Sequence, residues 1–429
     1  MSKGSNNSFI LKRHFLPLFI TQFLGAFNDN LFRQAIIILI TFGLAQQVGM
    51  APAILNNLAV GFFILPYFLF SALAGQLADK YEKAGQIFWI KIWEVALMCA
   101  GALALYFSSL PLLIAVLAGL GLQSTFFGPI KYGILPDLVQ EKELLTANSV
   151  VEAGTFIAIL LGTIIGGLLM KEADGWFYLS TLTISVALIG TLSGRMVPKT
   201  GRAAPNIRVR ANIFSSTGKQ LKIAWKTDVT RRSIVGISWI WLYGSIYISQ
   251  MPVVAKDHLG GDETVVTLFM ACFSVGIGVG SFLCSKLLKG VISARLSRPA
   301  LLLLLLLSLI LYATLPAKQP DTTPLPVAVF LTSGFNWFIV AILTLTAIFA
   351  GMIIVPMYAI LQHETPRSQR SRMIAANNII NSGFMAGGSL LAAALIASGL
   401  STTDVLLIFG GANLLILSSA RKLEKMLPA

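Results

Sequence analysis

Apolar residues in this chain come in long unbroken runs, not at the spacing of a water-soluble core. Stretches such as 54–78 and 301–315 leave no polar face to turn toward water. A helix needs about 20 apolar residues to cross the hydrocarbon of a bilayer. On that length the pattern predicts helices over 14–45, 52–78, 84–107, 110–135, 144–170 and 175–195. It predicts six more over 233–255, 264–288, 299–316, 333–361, 373–399 and 402–420. The run 324–361 is too long for one upright span, so its start reads as loop or interfacial chain and its end as the tenth helix. The expectation is an all-α membrane protein with twelve transmembrane helices.

Composition agrees. The 429 residues are 56% hydrophobic and 12% charged, with a mean hydropathy of +0.79, where an ordinary globular domain is about 25% charged. Charge also orients the chain. With both termini in the cytoplasm, three of the 32 Lys and Arg fall in outer loops (Lys171, Lys256, Lys318) and three within spans (Arg33, Lys91, Lys131); the other 26 lie on cytoplasmic segments. Basic residues concentrate on the inner side of membrane proteins. That pattern accounts for the net charge of +14 without nucleic acid, because a nucleic-acid binder gathers its charge on one folded face. The polar start 1–7, followed by Lys12 and Arg13, has the outline of a signal peptide. The apolar run behind it is too long and carries Asp29 and Arg33, so it reads as a retained first helix. Cys99, Cys272 and Cys284 show no metal spacing, and His14, His258 and His363 lie at span ends or in loops. No cofactor is expected.

Three segments emerge: an N-terminal six-helix bundle over 1–195, a cytoplasmic basic linker over 196–232, and a C-terminal six-helix bundle over 233–429. The break at 195–232 holds ten basic residues against one acid, Asp228. Within it Ile213, Phe214, Leu221, Ala224 and Trp225 recur at helical spacing. They suit a helix lying on the anionic inner leaflet; the first third, from Pro198, reads equally well as flexible linker.

The halves echo one another. Ala147-Asn148-Ser149-Val150-Val151-Glu152, with Gly154 beyond, is matched by Ala376-Asn377-Asn378-Ile379-Ile380-Asn381, with Gly383 beyond. Both strings fall in the fourth-to-fifth helix stretch of their half. Parallel six-helix repeats are the major-facilitator arrangement, with the substrate site between halves near the midplane. Gly75-Gln76-Leu77-Ala78-Asp79-Lys80, with Lys83 following, resembles the loop signature such transporters carry between helices two and three. There Gly75 permits close helix approach, Asp79 can meet a helix end or a basic side chain, and the role is conformational. Gly280 to Lys286 occupies the same place in the second half but lacks the acid.

Six ionisable residues sit inside spans, all in the first half: Asp29, Arg33, Lys91, Glu94, Lys131 and Glu152. Charges at membrane depth are costly and survive mainly facing a bundle interior or a water-filled path. Asp29 lies about 15 residues past His14, roughly 22 Å along the helix, and Arg33 is one turn on, close enough to pair with it. Flanking Asn28 and Asn30 widen the polar surface beyond what one pair needs. Lys131 and Glu152, on neighbouring helices, default to a mutual pair, which either holds the helices statically or opens on transport. Lys91 and Glu94, three apart, read as a local structural pair. The second half offers Gln250, Asn336, Asn377, Asn378, Asn381 and Asn413, with Trp239, Trp241, Tyr243, Tyr247 and Phe273. One charged bundle facing an aromatic one suits an amphiphile.

Three blocks sharpen this. They are Gln22 through Asn30; Gly128-Pro129-Ile130-Lys131-Tyr132-Gly133-Ile134-Leu135; and Ala147 through Glu152, on to Ile159-Leu160-Leu161-Gly162. All three lie in the first half, and in them the chain resembles the bacterial lysophospholipid transporter family. The resemblance implies a monomeric major-facilitator flippase of the inner membrane. Such a protein moves lysophosphatidylethanolamine or lysophosphatidylglycerol inward for reacylation by an acyltransferase or acyl-ACP synthetase on another chain, or fused in some relatives. It implies Asp29, Lys131 and Glu152 around the head-group path and its gates. One departure stands: 236–252 has no Lys or Arg where members carry a basic residue opposite the first-helix acid, which leaves Arg33 as substitute partner. The competing expectation is proton-coupled efflux of drugs or small metabolites, with Asp29 or Glu152 titrating. Catalysis is not expected, since His258 through Glu263 lacks acyltransferase spacing and no nucleophile–base or phosphate-loop pattern occurs.

Overall fold

The computed structural model of the protein describes residues 14–45, 48–170, 172–210, 212–316 and 324–427. The expectations for the first thirteen residues, Lys171 and Lys318 lie outside them. Apart from one isolated bridge between Gly261 and Leu325, the described residues form helices and the turns between them. In chain order come α1 (Leu16–Leu39), α2 (Pro52–Lys80), α3 (Lys83–Tyr106), α4 (Leu110–Leu138), α5 (Glu141–Leu169) and α6 (Gly175–Arg195). Helix α7 (Ile213–Ala224) follows in the basic stretch. Then come α8 (Asp228–Val253), α9 (Glu263–Leu288), α10 (Ser297–Thr314), the short α11 (Val327–Phe330), α12 (Gly334–His363) and α13 (Arg370–Ala397). The last two are α14 (Thr402–Gly411) and α15 (Asn413–Met426).

Among the described residues, ten helical segments are long and apolar enough to cross a membrane, with Thr402–Met426 counted as one. This is a multi-pass membrane protein. Helices α1 and α8 are as long but outside that group. Polar residues dilute their apolar runs: Asn28 to Arg33 in α1, and Ser238, Ser245, Ser249 and Gln250 in α8.

Departures from the expected boundaries have local causes. The first helix loosens after Leu39 into a π turn over Ile40–Leu44, where Thr41 Oγ1 donates to the Ile37 carbonyl at 2.7 Å. The last span breaks between α14 and α15 after Gly410 and Gly411, which are weak helix formers. There Asn413 Nδ2 donates to the Gly410 carbonyl at 2.9 Å, and its Oδ1 accepts from Trp239 Nε1 at 2.8 Å. The stretch after Pro324 pairs Leu325 with Gly260 and Asp262, then forms α11 before α12 begins.

The described chain divides into two compact units. One holds the residues up to Ala147, Ile157–Lys226 and Gln362–Ile379; the other holds Asn148–Phe156, Thr227–Leu361 and the chain from Ile380 on. Helices α5 and α13, which carry the two repeat strings, are each divided between the units. In the first unit α2 packs on α4, α3 on α4 and α6, and α1 on α6. Its core gathers Phe27, Leu31, Phe32, Leu117, Leu120 and Val186. Because lipid is as apolar as leucine, close backbone approach supplies the packing energy: a Cβ at Gly101 would stand 2.7 Å from the Phe32 ring. In the second unit α9 meets α12 through glycines. A Cβ at Gly276 would lie 2.7 Å from Ala347 Cβ, and one at Gly351 2.5 Å from the Ile277 carbonyl. Tyr243 and Tyr247 of α8 share the Ser308 hydroxyl of α10, at 3.1 and 2.8 Å.

Candidate functional site

Two polar clusters stand out in the first unit. The first lies midway along α1. Asn28, Asp29 and Asn30 are all buried, on a helix with Pro17 in its first turn that is tied to α6 by Ser193 Oγ, which donates to the Pro17 carbonyl at 2.9 Å. Asn28 Nδ2 donates to Glu94 Oε1 of α3 and to the Thr183 carbonyl of α6, both at 3.2 Å. Glu94 also pairs with Lys91, both about 1% exposed, and accepts from Gln123 Nε2 of α4 at 3.0 Å. The stem of Lys91 fits because α6 presents Gly190, where a Cβ would come 2.7 Å from Lys91 Cε.

On the other side of the same turn, Asp29 Oδ2 accepts from Ser124 Oγ of α4 at 2.6 Å, while its buried Oδ1 has no hydrogen-bond partner. Arg33 sends Nη2 to Asn30 Oδ1 at 2.5 Å and lies 5.8 Å over the Phe63 ring. Asn30 in turn donates to the Ala26 carbonyl at 2.7 Å. The structure therefore joins Asn28 directly to the Lys91–Glu94 pair, and Asp29 to it through Ser124 and Gln123, while Arg33 and Asn30 pair with each other on the same helix. Gln123 and Ser124, which complete the network, carry no charge and so gave no signal in an apolar run.

Lys131, half-buried on α4, donates to Gln22 Oε1 at 3.5 Å and stands 4.8 Å from the Tyr132 ring centroid. Glu152 is fully buried in the second unit. Near it on α5, Ser149 Oγ donates to the Ser281 carbonyl of α9 at 2.8 Å, and Phe156 stacks on Trp241 of α8 with ring centroids 5.9 Å apart. Trp241 also donates to Tyr358 Oη at 3.3 Å. Trp239, Tyr243 and Tyr247 serve helix packing, as does Asn381, which accepts from Ser238 Oγ at 2.5 Å.

The second cluster lies where α2 turns into α3 and meets the start of α13. Asp79, fully buried, accepts from the backbone N–H of Ser371 at 3.0 Å and of Arg372 at 3.2 Å, and from Arg372 Nε at 3.1 Å. A carboxylate there satisfies orphan donors at a helix N-terminus and complements its partial positive charge. Glycine makes the approach feasible: a Cβ at Gly75 would sit 2.6 Å from Ala375 Cβ and 2.9 Å from Arg372 Cα. Gly133 of α4 does the same against the Ser371 hydroxyl, at 2.5 Å. Beside this clasp, Asp137 binds Arg367 Nε at 3.2 Å and Arg370 Nη1 at 3.1 Å. Lys83 is fully buried between these charges, and its Nζ makes no hydrogen bond. Arg370 and Arg372 belong to a string that sequence reading counts only as inner-side charge; its spacing of two did not announce a carboxylate partner on another helix.

A multi-pass helical membrane fold with a polar network inside its bundle and a charged clasp at a helix end defines a class. The family model described as Major Facilitator Superfamily matches residues 18–347, and the chain belongs to that superfamily. Solved structures agree on the fold. The human organic anion transporter MFSD10 superposes with a TM-score of 0.76 at 14% identity, covering 95% of this chain and 99% of that one. A bacterial homologue of the iron transporter ferroportin in its outward-facing state gives 0.72 at 15% identity, covering 97% of this chain and all of that one.

Within the superfamily the chain is similar to proteins called lysophospholipid transporter LplT. The one from Pectobacterium carotovorum is 30% identical over 287 residues, and the match spans 65% of each chain, just under two thirds of that relative's length. Those of Citrobacter koseri and Cronobacter sakazakii are 28% and 29% identical, over 84% and 85% of this chain and 83% and 84% of theirs.

Proposed function

We propose that this chain is an LplT-type lysophospholipid transporter of the bacterial inner membrane. It carries lysophosphatidylethanolamine and lysophosphatidylglycerol inward for reacylation by an acyltransferase or acyl-ACP synthetase. In this reading α1 and α8 join the ten apolar segments to make twelve spans. They form two pseudo-symmetric six-helix bundles, 1–195 and 233–429, joined by the linker 196–232, with both termini cytoplasmic and the protein monomeric. The length of α1, 24 residues, or about 36 Å at 1.5 Å per residue, supports counting it. The LplT relatives supply the substrate class.

One observation carries the head-group chemistry: Asp29 holds a buried carboxylate oxygen without a donor one turn from the Arg33 guanidinium. An unsatisfied carboxylate oxygen in hydrocarbon is too costly to keep as mere packing. An ammonium or a head-group hydroxyl supplies the missing donor, and Arg33 and Lys131 face the phosphate. Asn28 and Asn30 set the backbone register of that turn, and Glu152 works as a gate residue. Gly75, Asp79 and Lys83 form a conformational lock away from the substrate.

The test follows uptake and reacylation of labelled lysophosphatidylethanolamine in spheroplasts that have or lack this chain, each with and without a protonophore. Uptake that depends on the chain is expected. Export of cationic drugs with no lysolipid uptake would instead establish proton-coupled efflux.

A further inference from the structure

The basic linker does not trail free; it is laid against the α2–α3 turn. Ala204 N donates to the Asp79 carbonyl at 2.7 Å, and Arg210 N to Gln76 Oε1 at 3.0 Å. Gln220 Nε2 of α7 donates to the Ala72 carbonyl at 2.7 Å. Between linker, α7 and the start of α13 this leaves a cavity of about 240 Å³, whose wall includes Arg208, Arg210, Lys219, Arg372, Gln76 and Gln220 and no carboxylate. Among the described residues, Arg208, Arg210 and Lys219 make no ion pair. Gln220 is buried, with Nε2 spent on Ala72 and Oε1 lacking a partner. The wall thus offers several cations and one acceptor that needs a donor.

We propose that this cavity binds a hydroxyl-bearing phosphate ester of the phosphoglycerol type: the phosphate sits among Arg208, Arg210, Lys219 and Arg372, and a hydroxyl donates to Gln220 Oε1. Guanidinium groups match phosphate oxygens with paired, charge-assisted hydrogen bonds. The cavity is below the ~300–1,000 Å³ of drug-sized pockets, which suits a head group and not a whole lipid. Both a membrane lipid and a soluble phosphate carry this chemistry. Helix α7 exposes Phe214, and the residue that ends it, Trp225, is exposed too; both are apolar anchors of the kind that rest on a lipid surface. Because Arg372 also binds Asp79, an occupied cavity competes for its side chain and leaves Asp79 to the two backbone N–H groups.

The experiment uses the full chain in phosphatidylcholine nanodiscs containing a small fraction of phosphatidylglycerol or of phosphatidylmethanol, which is anionic but lacks the head-group hydroxyl. Native mass spectrometry counts retained lipid. A parallel arm titrates detergent-purified protein with sn-glycerol 3-phosphate and inorganic phosphate by calorimetry. Phosphatidylglycerol should be retained preferentially. Arg208→Gln/Arg210→Gln/Lys219→Gln should weaken retention about tenfold or more, with an unchanged thermal midpoint in the absence of anion. Gln220→Leu should erase the preference over phosphatidylmethanol. Saturable binding of glycerol 3-phosphate with no lipid preference would support the site and assign the aqueous source. Equal retention of both lipids, untouched by either variant, together with no soluble binding, would overturn the proposal.

Discussion

A charge enclosed in hydrocarbon is expensive to strand, and Lys91 and Glu94 show what the remedy looks like. Glu94 draws donors from Lys91, Gln123 and Asn28, so removing Lys91 leaves a carboxylate whose charge is uncompensated. Lys91→Met is expected to cost about 3–5 kcal/mol, read as a lowered thermal midpoint in detergent. The double variant Lys91→Met/Glu94→Gln should recover much of that loss, and strict additivity in the cycle would show that the two do not couple. Asp29 and Glu152 are expected to behave differently: Asp29→Asn and Glu152→Gln should abolish lysolipid uptake while expression and thermal midpoint stay near wild type. Wild-type uptake in both would remove them from the transport path. The charged members of the α1 network were legible because charge in an apolar run has few explanations. Ser124 and Gln123 were not, since a neutral polar residue in a span has many. Arg33 was legible as a charge but not in its partner: spacing allowed Asp29, and the side chain went to Asn30.

Helices were easier to foresee than their ends. The run 175–195 is legible to the residue from its apolar length alone. The last span is not, because hydropathy is blind to a side chain such as Asn413 that competes for a backbone carbonyl. The linker shows both outcomes. Its apolar spacing predicts the helix that forms over Ile213–Ala224. The docking of Ala204 and Arg210 on α2 depends on backbone groups that no composition reveals. Between helices, glycine does the work that leucine does in a soluble core. Gly276→Leu is expected to drive a side chain into Ala347 and to cost about 1–3 kcal/mol, checked by the thermal midpoint. Gly334→Leu, at a glycine with open space around it, serves as the tolerated control.

For the molecule as a whole, the distribution of Lys and Arg makes a claim about sidedness. A fluorescent protein fused after Ala429 should mature and glow, and alkaline phosphatase at the same place should stay inactive. The reverse result would turn the proposed topology inside out. The clasp at Asp79 has a consequence of another kind, in what evolution or a mutagenesis library can tolerate. Two of its three donors are main-chain N–H groups, which every residue except proline supplies. Position 372 should therefore accept many replacements at modest loss, forfeiting one charge-assisted bond to Asp79 of about 1.5–3 kcal/mol and one to the Ser368 carbonyl. Position 79 has no such redundancy, since all three contacts converge on its carboxylate. Saturation libraries at the two sites, scored by surviving uptake, should come back lopsided, nearly empty at 79 and well populated at 372.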